Sequence, residues 1–436
     1  MKGSYLIIII IVLIFTGCRK SDYLLEGNNN TIIDDGEGIG TVTWTKDNEY
    51  VLQGFVFVND GQVLTIEAGT VVRFKMGQAE NASALIISRG GKIIANGTQD
   101  EPIIFTVEGD DLVEAILEDA RGLWGGLIIL GNAPINIEGG EASIEGIPLT
   151  EPRGIFGGTN ENDNSGILNY ISIRHGGTNI GEGNEINGLT LGGVGRETEI
   201  DYVEVISNED DGVEIFGGTV NLKHIVVSGF GDDAFDFDLG WTGNGQFWLG
   251  VQSDFLGDNL IEGSGGTNPV YGTPFSLPNI FNATFIGNGI SGNGKTIVLN
   301  NNAGGVVANS VFVNKLNGVF MEATDLQHDS YSQWVGGNLE IKNNIFYDVA
   351  NSNAESIFKL SGNYSEDMSN DWTDYFYSAA NEITDPKIDY NSGNYVPEEK
   401  IKGDLSAYPS SWFQLVDFKS AFGESNWIEG WTMLDE

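Results

Sequence analysis

The stretch SNEDDGVEIFGGTVNLKHIVVSGFGDDAFDFD contains two short acidic segments, and three acidic residues recur in both. Each of these residues in the second segment follows its counterpart in the first by 22 residues. The six are Asp210, Asp211, Glu214, Asp232, Asp233 and Asp236. If the chain completes one turn of a solenoid in this interval, the carboxylates of successive turns lie about 4.8 Å apart. Two such charges repel by roughly 3 to 4 kcal/mol at an effective dielectric of 20, which favours a bound cation or raised pKa values. Calcium is the natural cation, because it accepts about six to eight oxygen ligands in flexible geometry.

Three interpretations of these acidic residues stay open. They form a structural calcium site, a solvated acidic turn that recurs because the fold recurs, or a catalytic metal site. The catalytic interpretation requires an Arg, Lys or His close to the acids that can remove a proton. The outward-facing candidates for this base are Arg174, Lys223 and His224. For Arg174, an ion pair with a neighbouring carboxylate such as Glu204 is favoured over the role of base.

Short runs of β-forming residues recur at the same interval as the acidic pairs. One set is LTL at 189–191, VEI at 213–215, FDF at 235–237, IVL at 297–299 and VFM at 319–321. A second set is YVEV at 202–205, HIVV at 224–227 and WLGV at 248–251. A period of about 22 to 24 residues predicts an all-β fold, a right-handed parallel β-helix with a few inserted loops or short helices. A leucine-rich repeat is disfavoured because its Leu/Asn consensus is absent, and a propeller needs roughly 40 residues per blade.

Alternation along these strands predicts which side chains point inwards. The predicted inward file is Ile171, Val203, Ile225 and Leu249. The predicted outward file beside it is Tyr170, Tyr202, His224 and Trp248. Stacked rings can form a platform for the apolar faces of sugars, or they can lie under an inserted loop. These four residues are therefore candidate glycan-binding residues.

The N-terminus, MKGSYLIIIIIVLIFTGC, has the features of a secretory signal. Its apolar run of about 11 residues is shorter than the roughly 20 residues that a membrane-spanning helix needs. The stretch resembles the lipobox of bacterial lipoproteins, in which the cysteine is lipidated and becomes the new N-terminus. This resemblance implies a signal peptide at residues 1–17, a lipid anchor on Cys18 and an outer membrane location, at the cell surface or on the periplasmic face.

The rest of the chain divides into a tether and one domain. Residues 18–41 are polar and rich in Gly and Asn, which predicts a flexible tether. The predicted domain is a single β-helix at 42–436, with inserted loops at about 240–280 and 350–385 and a C-terminal cap. Helical spacing at 110–120 and 369–379 predicts two short helices packed on the solenoid.

The composition excludes several classes of partner and site. With 62 Asp and Glu against 21 Lys and Arg, the formal charge is −41, which disfavours nucleic acid as a partner. Cys18 is the only cysteine, so the chain forms no intramolecular disulfide and no cysteine-based metal site. Only 3 histidines occur, so a zinc site built from several histidines is disfavoured.

Several longer segments resemble a known group of proteins. They are VLTIEAGTVVRFKMG, ALIISRGGKIIANGTQDEPIIFT, WGGLIILGNAPI, NEDDGVEIFGGTVNLKHIVVSGFGDDAFDFDLGWTGNGQ and VDFKSAFGESNWIEGWTML. The group is the pectate-lyase-like class of right-handed β-helix proteins, of the type found on Bacteroidetes and marine bacteria. The resemblance spans about residues 42–436 and implies the fold far more than an activity. In the polysaccharide lyases of this class, calcium neutralises a uronate carboxylate while a basic side chain removes the C5 proton.

The leading hypothesis is a lipid-anchored envelope protein with a binding or structural role. Its expected ligand is Ca²⁺, held by the six acidic residues, and its expected partners are the membrane through the lipid anchor and polysaccharide or other envelope proteins. The alternative is a calcium-dependent polysaccharide lyase or glycoside hydrolase acting on extracellular polysaccharide. That alternative requires a base beside the acidic turns.

Overall fold

The computed structural model describes residues 31–181, 184–266, 268–289, 294–324 and 327–435. The predicted signal peptide, the predicted lipid anchor on Cys18 and the predicted tether as far as residue 30 lie outside these residues. Within the described ranges, the helices are too short or too polar to cross a membrane.

Two large sheets contain most of the regular structure, and their strands are numbered along the chain. The first sheet contains ten strands, β4 (Phe55–Val58), β7 (Ala84–Ile87), β10 (Leu127–Leu130), β16 (Leu189–Gly192), β18 (Val213–Phe216), β20 (Phe235–Asp238), β22 (Ile261–Ser264), β25 (Lys295–Asn300), β28 (Asn317–Ala323) and β31 (Phe358–Gly362). The second sheet contains 17 strands, β1 (Thr31–Ile32), β2 (Val42–Trp44), β3 (Tyr50–Leu52), β5 (Val63–Ile66), β6 (Val71–Phe74), β8 (Lys92–Asn96), β9 (Ile103–Val107), β13 (Gly166–Arg174), β17 (Glu199–Ile206), β19 (Asn221–Ser228), β21 (Asn244–Val251), β23 (Asn279–Phe281), β24 (Thr284–Gly289), β26 (Gly305–Ala308), β27 (Val311–Lys315), β29 (Leu339–Lys342) and β30 (Ile345–Val349).

Smaller elements lie between these strands. They are the antiparallel pairs β11 (Ala142–Ser143) with β12 (Ile155–Phe156) and β14 (Thr178–Gly181) with β15 (Asn184–Ile186), and the helices α1 (Ser330–Val335), α2 (Ala354–Ile357) and α3 (Glu366–Ser378). Helix α3 confirms the helix predicted at 369–379. The helix predicted at 110–120 is wrong: Asp111 caps a turn there, but the left-handed φ of +62° at Leu112 prevents a helix from continuing.

Strand pairing within the two large sheets is parallel and follows the sequence repeat. Leu189 pairs with Val213, and Val213 pairs with Phe235, so each coil here has the length that separates the runs LTL, VEI and FDF. Insertions lengthen other coils, as between Ile261 and Ile297, which are paired across a longer connection. The predicted parallel β-helix, with coils of the predicted length and inserted loops, is therefore confirmed.

Four long strands of the second sheet bend in the middle, and each supplies two sides of a coil. The bends lie at Tyr170, Tyr202, His224 and Phe247, where φ is between 48° and 59°. On β13, residues 166–169 pair with β8, whereas residues 171–173 pair with β9. Each of these coils therefore consists of three short segments, one in the first sheet and two in the second.

The interior contains stacked apolar and aromatic side chains. Ile171, Val203 and Ile225 form a buried file in register, as predicted. The next member of the file is Trp248 and not Leu249, because the coil between β19 and β21 is one residue longer than the coil between β17 and β19. Trp248 is fully buried and stacks on a phenylalanine ring of β20, with centroids 4.1 Å apart. The assignment of Trp248 to the outward file is therefore wrong, because a shift of one residue moves a side chain to the other face of a strand.

The domain begins earlier than predicted. Residues 31–32 form β1, which pairs with β3. Asp34 accepts a hydrogen bond from the backbone N of Phe57 at 3.0 Å and forms an ion pair with Arg153 at 2.8 Å. Residues 31–41 are thus part of the solenoid, and the prediction that they belong to a tether is wrong.

The two predicted loop regions also contain coils of the solenoid. Residues 240–280 include β21, β22 and the start of β23, and residues 350–385 include β31. All four strands pair in register with the sheets. The true insertions are therefore the shorter connections between these strands and the helices α2 and α3.

Two outer layers cover parts of the sheets. Residues 131–165, which include β11 and β12, pack on the outer face of the first sheet over its early strands. Residues 380–435 pack on the outer face of the second sheet, where they bury apolar side chains of strands β19 to β30. The C-terminal segment is therefore a cover along the side of the solenoid.

Candidate functional site

The six predicted acidic residues meet along one edge of the first sheet. Glu214 on β18 pairs with Asp236 on β20, and both side chains face outwards. Asp210 and Asp211 precede β18 in the turn, and Asp232 and Asp233 precede β20 in the next turn. Three further acids that the sequence analysis did not select also lie here, namely Asp258, Glu262 and Glu145. The coils that carry Asp258 and Glu262 depart from the regular repeat length, and Glu145 comes from the insertion, so the repeat did not reveal them.

A ladder of hydrogen bonds explains why an Asp recurs at this turn. Asp211 Oδ1 accepts a hydrogen bond from the backbone N of Asp233 at 2.8 Å. Asp233 Oδ1 accepts one from the backbone N of Asn259 at 2.6 Å, and Asn259 Oδ1 accepts one from the backbone N of Lys295 at 2.9 Å. Each side chain thus satisfies a backbone donor of the next coil. Asn259 does so without a charge, so the ladder requires an oxygen acceptor and not a carboxylate.

The carboxylates approach one another closely enough to share a cation. Three triplets have ligand oxygens that all lie within 4.8 Å of one another. The triplets are Asp210, Asp211 and Asp232; Asp211, Glu214 and Asp236; and Asp232, Asp233 and Asp258. A calcium ion bound at about 2.3 to 2.6 Å from each oxygen tolerates oxygen separations up to about 5 Å. The triplets therefore have dimensions that suit this ion.

Burial makes the ionised form of these carboxyls costly. Asp211 is 7% exposed and Asp233 is 4% exposed. Burial raises the pKa of Asp211 well above its ordinary value, and the neighbouring charges of Asp233 and Asp236 raise that pKa further. Burial, followed by the charge of Asp232, raises the pKa of Asp210 to about 8. Burial and mutual repulsion therefore favour the protonated carboxyls in this cluster, and a bound cation would favour the ionised ones.

Two buried oxygens at the cluster have no hydrogen-bond donor among the described residues. They are Oδ1 of Asp236 and Oδ1 of Asn187. The amide nitrogen of Asn187 donates to the carboxylate of Glu214 and, at 3.2 Å, to that of Glu145, so its oxygen is the remaining polar atom. Buried oxygens without donors are costly, and a hard cation satisfies carboxylate and amide oxygens alike. The residues present thus fit calcium in three respects: their ligand atoms are oxygens, these oxygens are suitably spaced, and two buried oxygens have no hydrogen-bond donor among the described residues.

Lys315 is a basic residue at the cluster that the sequence analysis missed. Its amine donates to Gln252 Oε1 at 2.6 Å and to the backbone O of Asp258 at 2.8 Å. The residue is 1% exposed, and this burial lowers its pKa to about 8. Because its amine is turned towards protein acceptors, Lys315 supports the turn before β22 rather than facing solvent. It lies 57 residues beyond Asp258 in sequence, so only the fold brings the two together.

The three predicted base candidates lie on the second sheet, on β13 and β19, and not beside the acids. Arg174 is 3% exposed, and its Nε donates to the hydroxyl of Ser172 at 2.9 Å. Lys223 lies over the ring of Trp412, with its amine 4.5 Å from the ring centroid. His224 Nδ1 shares a hydrogen bond with an oxygen of Asp201 at 2.7 Å. The expectation that one of them accompanies the acidic turns is therefore not supported.

The predicted outward aromatic file exists, but it continues to Phe247 instead of Trp248. Centroid separations along it are 4.4 Å for Tyr170 to Tyr202, 4.2 Å for Tyr202 to His224 and 4.9 Å for His224 to Phe247. The edges of these rings contact two tryptophans of the C-terminal segment, Trp427 and Trp431. The ring faces that point along the ladder are thus stacked on one another from Tyr170 to Phe247, which is the arrangement of a structural ladder. Of the two uses considered for these rings, the geometry favours burial under a covering segment.

Comparisons with known proteins address the fold. A family model described as the pectate-lyase like beta helix domain matches residues 36–391. No curated protein and no solved structure matches the chain. The match covers most of the chain, and the long parallel sheets described above are the architecture it names. The chain therefore belongs to the family of pectate-lyase-like β-helix domains.

Proposed function

We propose that the chain is a calcium-stabilised β-helix protein of the cell envelope, with a binding or structural role and with glycan as its partner class. In this proposal a lipid on Cys18 holds it at the outer membrane. The observation that carries the calcium component is the triplet of Asp211, Glu214 and Asp236, in which a buried carboxylate oxygen has no donor among the described residues.

Calcium would act at this site as a counter-charge. Asp211, Glu214 and Asp236 would bind it directly, and the amide group of Asn187 lies beside Glu214. Bound there, the ion would replace the protons that burial otherwise retains on these carboxyls. It would link β18 to β20 through their outward side chains, which stabilises the stacking of successive coils.

The positions of the three predicted base candidates and of Lys315 favour a binding or structural role over catalysis. A lyase reaction needs a base within reach of the proton that it removes from a substrate held at the metal. Arg174, Lys223 and His224 lie on the other sheet, and the amine of Lys315 is buried against protein acceptors. We therefore expect no unsaturated, UV-absorbing product when the protein is incubated with polyuronates and calcium. Appearance of that product in proportion to enzyme concentration would contradict this part of the proposal and favour the lyase alternative.

Calcium dependence of stability across pH is the direct test of the site. The folded-state pKa of Asp210 is about 8, above its ordinary value of 3.8. A raised folded pKa contributes stability that is complete below the unfolded pKa and is lost as the pH rises through the folded pKa. In chelator, the melting temperature is therefore expected to fall between about pH 5 and pH 8. At saturating calcium it is expected to be higher by about 5 °C at pH 8, and by less at pH 5, where protons compete with the ion.

The measurement is a thermal melt followed by circular dichroism, in calcium or in chelator at constant ionic strength. Magnesium is the matched control, because it demands octahedral geometry and retains its water. Equal melting temperatures in calcium and chelator at pH 8 would remove calcium from the proposal. An equal effect of both metals would indicate charge screening instead of a site.

A further inference from the structure

A cleft of about 300 Å³ lies on the second sheet, away from the acidic cluster. It is bounded by strands β17 and β19 on one side and by the C-terminal segment on the other. Its lining includes Trp412, Lys223, Asn221, Asp201 and Arg196. Its volume is at the lower end of the range found for small-ligand sites, roughly 300 to 1,000 Å³.

The backbone next to Trp412 is held in place by specific contacts. The buried amide of Gln246 donates to the backbone O of Gln414 at 2.8 Å and accepts from the backbone N of Gln414 at 2.9 Å. Phe413 is buried, with its ring centroid 4.9 Å from that of Phe281. The indole of Trp412 is therefore presented at the cleft from an anchored segment, and it is partly exposed.

Hydrogen bonds also fix the orientation of two polar side chains in the cleft, Asn221 and Asp201. Asn279 donates to Asn244 Oδ1 at 3.1 Å, and Asn244 donates to Asn221 Oδ1 at 2.6 Å. This chain of amides leaves the NH₂ group of Asn221 as a donor without an acceptor among the residues that the structure describes. One oxygen of Asp201 accepts from the backbone N of Tyr202 at 3.1 Å and is bonded to His224, so its other oxygen is an available acceptor.

An indole beside fixed donors and acceptors suits a sugar ring. A pyranose has apolar C–H faces that pack on an aromatic ring and hydroxyl groups that both donate and accept. The charged residues that line the cleft are two basic ones, Lys223 and Arg196, and two acidic ones, Asp201 and Glu199. The formal charge of −41 on the whole chain opposes the approach of an anion. These features favour a neutral sugar over an acidic one.

We propose that this cleft binds a neutral hexose unit of a glycan, with the sugar beside the partly exposed indole of Trp412, over which the amine of Lys223 lies, and with its hydroxyls bonded to Lys223, Asn221 and Asp201. The inference rests on the proposed glycan-binding role and assigns that role a location and a sugar class. The rings of the ladder of Tyr170, Tyr202 and His224 contact Trp427 and Trp431 of the covering segment, whereas the cleft at Trp412 has a volume of about 300 Å³.

The test is isothermal titration of the folded, calcium-loaded protein with defined tetrasaccharides. The neutral hexose probes are cellotetraose, laminaritetraose and mannotetraose, and the acidic probe is tetragalacturonate. We expect at least one neutral hexose probe to bind and Trp412→Ala to weaken that binding by about tenfold or more. Lys223→Gln removes the amine that lies over the Trp412 ring and donates to the backbone O of Trp412 at 3.4 Å, and it is expected to weaken binding about threefold. The control is Phe255→Ala, which removes another exposed ring, 84% exposed on the loop after β21, and is expected to bind as the parent does.

Each outcome separates the inference from the wider proposal. Binding by the parent that is unchanged in both cleft variants would overturn the cleft as the site and leave glycan binding intact. Absence of binding to every probe would overturn both the cleft and the glycan component, while the calcium component is tested separately by melting. Preference for tetragalacturonate would overturn the assignment of a neutral sugar. Melting curves of both variants exclude misfolding as the cause of any loss.

Discussion

The Asp211→Asn/Asp236→Asn double variant is expected to be more stable than the parent in chelator at about pH 8 and to lose the calcium-dependent increase in melting temperature. Asp211 and Asp236 belong to a triplet whose oxygens lie within 4.8 Å of one another. At an effective dielectric of 20, two charges at that separation repel by about 3 to 4 kcal/mol. The amide at position 211 keeps an oxygen acceptor for the backbone of Asp233, as Asn259 does one coil later for Lys295.

The measurement is urea unfolding at about pH 8, in chelator and in saturating calcium. The gain in chelator is expected to be on the order of 3 kcal/mol, an upper value because some repulsion is already relieved by retained protons. The matched control is Asp47→Asn/Asp100→Asn, which removes two exposed charges and is expected to change stability by less than about 0.5 kcal/mol. A calcium effect of unchanged size in the Asp211→Asn/Asp236→Asn protein would show that the ion binds elsewhere.

Glu204→Ala is expected to destabilise the protein by about 3 to 5 kcal/mol. Glu204 is 0% exposed on β17 and accepts hydrogen bonds from the hydroxyl of Ser172 at 2.6 Å and from the backbone N of Met433 and Leu434, both at 3.1 Å. It also provides the charge opposite the buried Arg174. Its removal leaves buried donors without this acceptor and detaches the end of the chain from the solenoid.

The Glu204→Gln variant distinguishes the contribution of the hydrogen bonds to stability from the contribution of the charge. Burial raises the pKa of Glu204 although Arg174 opposes the shift, so the ionised carboxylate itself carries a desolvation cost. The amide retains an oxygen acceptor without that cost, and Glu204→Gln is expected to lose less stability than Glu204→Ala. Urea unfolding gives the free energies, and limited proteolysis followed by mass spectrometry reports release of the C-terminal residues. Suppose that Glu204→Ala loses less than about 1 kcal/mol of unfolding free energy and that its C-terminal residues stay protected from proteolysis. The hydrogen bonds from Met433 and Leu434 to Glu204 would then be unimportant for stability.

The predicted and the observed aromatic ladder differ by a shift of one residue in one strand, so that Phe247 takes the place predicted for Trp248. Coil lengths are readable from the runs LTL, VEI and FDF, and the structure pairs these runs as expected. The coil that ends at β21 is one residue longer than the coil before it, and this moves Trp248 into the core and Phe247 to the corner. Both residues are aromatic, so hydrophobicity alone does not distinguish them. Only the paired backbone, with a positive φ of 59° at Phe247, identifies the corner residue.

The sequence by itself determined the repeat, the parallel β-helix, the meeting of the acidic pairs and a helix near residues 369–379. These features follow from local periodicity, since both the coil length and the alternation of side chains can be recognised from the order of residues within one or two coils. Only the tertiary structure decided what lies opposite each side chain. The C-terminal segment covers the aromatic ladder and brings Trp412 to Lys223, a separation of 189 residues. Likewise Lys315 reaches the acids, while Arg174, Lys223 and His224 do not, because contacts between distant parts of the chain depend on insertions whose paths the repeat does not encode.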